Sequence, residues 1–320
     1  MNQTAGALLG SGRWVRESPV SRTIGRAYFG LQAVAGAVWW IAVFTVPAVR
    51  RATLGDIDPV LMAAADVPLF VLASALAALG VRRAAWIAVP WTLFVSAAMV
   101  ILATATGTAG WGALLMSAAA IGSVLAWLLL RFGRIPADAA LVGPLGFGTA
   151  RRGIPPLRQL GRTLLQMSVF WILFLGVIPF GVALLEWRWG LRSEFPVAVR
   201  VLGAAILLLA SALGVWAAFA MALRGDGTPL PSAAANRLVL AGPYRLVRNP
   251  MALAGIVQAF GVGLCGSSWL VAVYALCGIL YWNELVRPFE EDDLARRFGA
   301  EFEAYRARVR CWVPRLRPAG

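Results

Sequence analysis

Histidine and lysine are both absent from this chain, so its 29 basic residues are all arginine. Without an imidazole or an ε-amine there is no His-liganded metal site, no Ser-His triad and no lysine Schiff base. Cysteine is scarce too. Cys265, Cys277 and Cys311 lie in or beside apolar stretches with none of the spacings that hold a metal, so no metal site is expected. Charge as a whole is thin, at 14% of residues, against 60% hydrophobic residues and a mean hydropathy of +0.75. That balance excludes an ordinary soluble domain and puts the chain among polytopic membrane proteins. The formal net charge of +14 is spread in short segments between apolar runs. It does not form one basic face, and nucleic acid is excluded as a partner.

What the chain does have is long apolar runs. A membrane-spanning helix needs about 20 apolar residues to cross about 30 Å of hydrocarbon, and only closed backbone hydrogen bonding is tolerated there. The sequence predicts an all-α, polytopic membrane protein of about eight transmembrane helices with a C-terminal amphipathic helix. The spans fall near 27–49, 60–80, 84–106, 111–131, 165–186, 197–223, 251–265 and 268–286. The first of these is too long for a signal-peptide core and is read as a retained anchor. Arginines crowd alternate connections: Arg13, Arg16, Arg22 and Arg26, then Arg82 and Arg83, then Arg134, Arg151, Arg152, Arg158 and Arg162, and finally Arg224, Arg237, Arg245 and Arg248 with the Arg-rich tail. The intervening connections are near neutral. By the positive-inside rule both termini are expected in the cytoplasm, in a bacterial plasma membrane. The Gly-, Pro- and Arg-rich stretch 132–164 reads as a cytoplasmic connection. It separates a four-span region, 1–131, from a C-terminal domain, 165–320.

Polar residues cluster only in that second half. Gly225-Asp226-Gly227-Thr228-Pro229 follows the sixth span, then comes Gly242-Pro243-Tyr244-Arg245-Leu246-Val247-Arg248-Asn249-Pro250-Met251. A short apolar hairpin follows, and Arg287-Pro288-Phe289-Glu290-Glu291 opens a charged helix. Taken singly these have plain readings. Two glycines can end a helix as readily as cradle a ligand, and Pro250 suits the first turn of a helix. Glu284 can pair with Arg287. Leu294, Phe298, Phe302, Tyr305 and Val309 recur at helical spacing, so this helix should lie along the membrane or cover a site.

The combined order is more specific. Gly-x-Gly-Thr-Pro, Gly-Pro-Tyr-x-x-x-Arg-Asn-Pro-Met, a hairpin, Glu-Glu, then Phe-Gly-x-x-Phe-x-x-Tyr and Val-Pro resembles the integral-membrane isoprenylcysteine carboxyl methyltransferases and the related phospholipid N-methyltransferases. The likeness covers about residues 165–316. Asn249 stands where the prenylcysteine enzymes usually carry His, while Ala252 and Ala254 replace a usual Tyr and Gly. The resemblance implies an enzyme that uses S-adenosylmethionine to methylate a lipid-type or prenyl-type acceptor at the cytoplasmic face. It also implies cofactor binding by Gly225, Gly227, Arg248, Asn249, Pro250, Glu290 and Glu291, with Arg248 and Glu291 also the catalytic candidates.

The residue chemistry agrees, because carboxylates suit a ribose diol or positive groups and an arginine suits a carboxylate. Methyl transfer needs alignment and a dry pocket more than a strong acid. A carboxylate acceptor needs no base, which favours O-methylation slightly over N-methylation. The alternative is a non-catalytic scaffold or conduit carrying a degenerate motif. A conduit would call for polar residues along several spans, and the first four hold almost none. Beyond the lipid bilayer and a lipid substrate the sequence names no partner, and it leaves the oligomeric state open.

Overall fold

The computed structural model describes residues 19–136, 155–225 and 235–314. Every regular element among them is helical. Among the described residues seven helices are long and apolar enough to cross a membrane, and an eighth apolar helix is shorter. The protein is an integral membrane protein of the all-α class, as the sequence predicts. The chain divides into two compact units, residues 1–136 with 188–191, and residues 137–187 with 192–320.

The first unit holds helices α1 (Pro19–Thr45), α2 (Pro47–Leu54), α3 (Pro59–Ala78), α4 (Ala85–Thr106) and α5 (Gly110–Phe132). The first span ends earlier than its hydropathy suggests. Val46 is extended (φ −121°, ψ 100°) because the residue before a proline is pushed out of the helical region. Pro47 then begins α2, which carries Arg50 and Arg51. Small residues knit the unit together, with Phe29, Ala73, Ala77, Ala88 and Ala126 in one buried cluster. The expectation that these spans are almost free of polar groups is wrong. Gln32 donates to Ser74 Oγ at 3.0 Å and accepts from Ser123 at 2.8 Å, all three buried. Asp66 is buried as well. Single polar residues vanish in a hydropathy average, yet here they pair across helices. Arg188 satisfies the last carbonyls of α4, donating to Thr104 O at 2.7 Å and Ala105 O at 2.5 Å.

The second unit holds α6 (Arg158–Arg188, to Trp187), α7 (Val197–Arg224), α8 (Pro250–Cys265) and α9 (Trp269–Arg308). Helix α6 starts well before the apolar core of its span. Pro155 and Pro156 open it, and Arg158 and Arg162 extend it beyond the apolar core, which begins near 165. Helix α8 has 16 residues, about 24 Å of rise, and leans on α7 along glycines. A methyl group at Gly203 would sit 2.6 Å from Leu264 Cβ and 2.8 Å from Cys265 N, and one at Gly261 would sit 3.0 Å from Gly203 O. Backbones approach this closely only where side chains are missing. Gln258 joins the same pair of helices by donating to Ser211 Oγ at 2.9 Å.

Helix α9 begins with a buried cap. Ser268 Oγ donates to the buried Glu186, whose carboxylate also accepts from Trp269 N at 3.3 Å and Leu270 N at 3.4 Å. A negative charge suits a helix N-terminus. The apolar part of α9 passes through a π turn at Trp282–Val286 and then becomes a charged extension from Arg287. That extension kinks at Gly299, whose φ of 51° and ψ of −126° only glycine adopts easily. Beyond the kink Phe302, Tyr305 and Val309 pack on Leu238 and Leu240, so the amphipathic stripe covers the 235–250 segment.

Candidate active site

Two chain segments meet at the start of α8. A single turn at Gly242–Arg245 delivers Tyr244, Arg248 and Asn249. Asn249 caps α8, its Oδ1 accepting from Ala252 N at 3.2 Å, and Pro250 takes the first helical position. The capping carbonyl leaves the amide nitrogen free to point away, and Asn249 Nδ2 donates to Glu290 Oε2 at 3.0 Å. One asparagine therefore starts a helix and holds a carboxylate on another.

Arg248 is held from several sides. Its Nη2 pairs with Glu291 Oε1 at 3.0 Å, its Nη1 donates to Arg306 O at 3.2 Å, and its backbone N–H reaches Arg310 O at 3.0 Å. Its Nε is buried without a partner. Tyr305 Oη donates to Tyr244 O at 2.7 Å, while the buried Tyr244 hydroxyl is itself unpartnered. Arg248, Asn249, Glu290, Glu291, Tyr305 and Cys311 surround a cavity of about 30 Å³, room for about one water.

The electrostatics follow from this enclosure. Glu290 lies in the charged extension of α9, beyond its apolar part. Shielding from water, with the Glu291 charge beside it, pushes its carboxyl up to about 7 against the opposing Asn249 hydrogen bond. Burial and the nearby Glu290 likewise push the Tyr244 hydroxyl up. The pair Glu290-Glu291 is thus split. One carboxylate is neutralised by Arg248, and the other is free to take up a proton near neutrality.

The structure brings together four of the seven sequence-predicted residues around the cavity, Arg248, Asn249, Glu290 and Glu291, with Pro250 directly behind. Gly225 is not among its walls. It ends α7, where an added methyl would meet Val239 Cγ2 at 2.8 Å and Ala235 Cβ at 2.9 Å, so close packing accounts for this glycine. Gly227, with Asp226, Thr228 and Pro229, lies outside the described residues. Glu284 does not need Arg287, since it accepts from Asn283 Nδ2 at 2.6 Å. Sequence reasoning missed Tyr244, Tyr305 and Cys311 as part of the cluster. Tyr244 sat in the Gly-Pro-Tyr motif and was the one readable signal. Tyr305 looked like packing, and Cys311 like an inert apolar residue.

The chemistry of this set fits a small zwitterionic nucleoside cofactor. An arginine with a spare buried N–H and a tyrosine hydroxyl can donate to a carboxylate, and two carboxylates can accept from a diol or face a cation. The cavity as it stands is far smaller than such a molecule.

An 82-residue stretch, 25% of this chain, is 34% identical to the nickel-cobalt-cadmium resistance protein NccN of Alcaligenes xylosoxydans xylosoxydans and spans 38% of that protein's length. No solved structure matches. Residues 198–301, which include every residue singled out above from Gly225 to Glu291, match the phospholipid methyltransferase family model.

Proposed function

We propose that the protein is an S-adenosylmethionine-dependent methyltransferase acting on a lipid acceptor held in the bilayer. The observation that carries this reading is the cluster of Arg248, Asn249, Glu290 and Glu291 where helices end, within the stretch that matches the family. Arg248, through its unpartnered Nε, binds the carboxylate end of the cofactor. Glu291 holds the guanidinium in register, and Asn249 orients Glu290 toward the diol or the amino group. When bound, S-adenosylmethionine supplies an electrophilic methyl group. The protein's own contribution is to align the acceptor and to keep water out once α9 closes over the site.

The acceptor's head group decides whether a base is needed. A carboxylate head can attack as it stands, which is the basis for preferring O-methylation. Glu290 supports the amine as a second reading, because a carboxyl at about 7 accepts a proton from an ammonium head at working pH. The experiment is binding of S-adenosylmethionine by the detergent-purified chain, followed by incorporation of labelled methyl into a membrane lipid extract. Mass spectrometry of the product identifies the methylated head group. Failure to bind the cofactor at millimolar concentration, with the helical content intact, would sink the reading and leave the scaffold alternative.

A further inference from the structure

The first unit contains a larger cavity than the one just described, about 350 Å³, within the range of small-molecule sites. It is lined by α1, α2, α3, α4 and α5 and is partly open, and its walls are mostly apolar and aromatic, including Tyr28, Trp39, Phe70, Met99 and Met116. At one end is Asp66, only 3% exposed. Two indoles hold its carboxylate: Trp40 Nε1 donates to Oδ2 at 2.9 Å and Trp91 Nε1 to Oδ1 at 2.7 Å. Those bonds fix the group's direction but bring no positive charge. No arginine lines the cavity. A carboxylate in the middle of an apolar helix is costly unless it is paired, and such a group marks a ligand path by default.

We propose that this cavity is a second binding site, for a cationic amphiphile: an alkyl or prenyl chain bearing an amine head. The ammonium pairs with the free lone pairs of Asp66, since each oxygen accepts only one indole N–H and keeps further acceptor capacity. Trp39, next to Trp40 in α1, adds an aromatic ring that suits the same cation, and the chain fills the space between Phe70, Met99 and Met116. An anionic head would meet the carboxylate's like charge. A hydroxyl head would gain a hydrogen bond but leave the charge unbalanced. This site is independent of the methyl-transfer reading and stands or falls without it.

The test uses the full chain in phosphatidylcholine nanodiscs and a dodecylamine carrying a photoactivatable diazirine at its chain end. After irradiation, adducts are expected on segments 28–39 and 112–119. Excess dodecylamine should suppress them at least tenfold, and dodecanol or dodecanoate should not. Asp66→Asn should abolish the labelling. So should Ala35→Phe, which puts a ring at the open wall of the cavity and leaves the carboxylate and both indole bonds in place. Labelling spread evenly over all apolar helices, equal competition by dodecanol, or adducts unchanged in Ala35→Phe would each overturn the proposal. If circular dichroism shows Asp66→Asn misfolded, the alcohol competition and Ala35→Phe decide alone.

Discussion

Arg248 ties the 242–250 segment to α9 and is also the group proposed to bind the cofactor, so its removal affects both roles. Arg248→Lys separates them. A lysine keeps the charge for Glu291 but cannot also span to Arg306 O and present a spare N–H. Charged hydrogen bonds contribute about 1.5–3 kcal/mol, so cofactor affinity measured by calorimetry is expected to fall about tenfold or more, with the far-ultraviolet circular dichroism unchanged. Equal affinity for wild type and Arg248→Lys would remove Arg248 from the site. Glu290 gives a second, pH-based outcome. Its carboxyl binds a proton up to about 7, and a cationic cofactor favours the deprotonated form. Affinity for S-adenosylmethionine should therefore rise between pH 6 and pH 8 and level off above. Glu290→Gln should flatten that rise. For folding the sign is opposite: a carboxyl held above its ordinary value favours the folded state at low pH, and that contribution is lost as pH rises through about 7. A wild-type affinity independent of pH across this range would show that Glu290 does not face the cofactor.

At the scale of elements, the close crossing of α7 and α8 fixes where Arg248 and Asn249 emerge, because α8 starts immediately after them. Gly203→Ala puts a methyl against Leu264 Cβ and the Cys265 backbone, at 2.6 and 2.8 Å. Backbone cannot yield as a flexible side chain does, so a cost of about 1–3 kcal/mol is expected, read as a lower unfolding temperature of the detergent-purified chain. Gly255→Ala on the partner helix α8 is the control, since nothing lies within 4 Å of its added methyl. Equal shifts for the two would mean that the crossing does not limit stability.

These helices show what a sequence discloses. Apolar length and proline position announce α7 and the start of α8, as the periodicity of Phe298, Phe302 and Tyr305 announces the amphipathic part of α9. The Asn249–Glu290 contact spans 41 residues and has no periodic trace, so the motif's resemblance, and no local signal, put those two residues in one group. Gly225 shows the reverse: its place in the motif suggested a ligand, and its surroundings show packing. Asp66 and Gln32 escaped notice because a lone polar residue barely alters a hydropathy window.

At the scale of the molecule, the question is where an acceptor can approach. Large apolar side chains are exposed along α7 and the apolar part of α9, Leu208 at 71% and Leu280 at 65% among them, and in a membrane these faces meet acyl chains. Among the described residues, the second unit carries no soluble lobe beyond the charged extension of α9 and the residues that follow it to 314. That extension packs over the 235–250 segment, and on the proposed reading the acceptor comes from the exposed apolar faces. An acceptor entering from lipid gains from its chain as well as its head. Each buried methylene contributes about 0.8 kcal/mol, which is about fourfold in affinity at about 1.4 kcal/mol per tenfold. A series of acceptors with one head group and lengthening chains, assayed at fixed detergent concentration, should show KM falling steeply until the chain outgrows the protein's apolar face, with kcat nearly constant. A flat KM, or faster turnover of the shortest, water-soluble analogue, would show that the site opens to water and that the lipid approach is wrong.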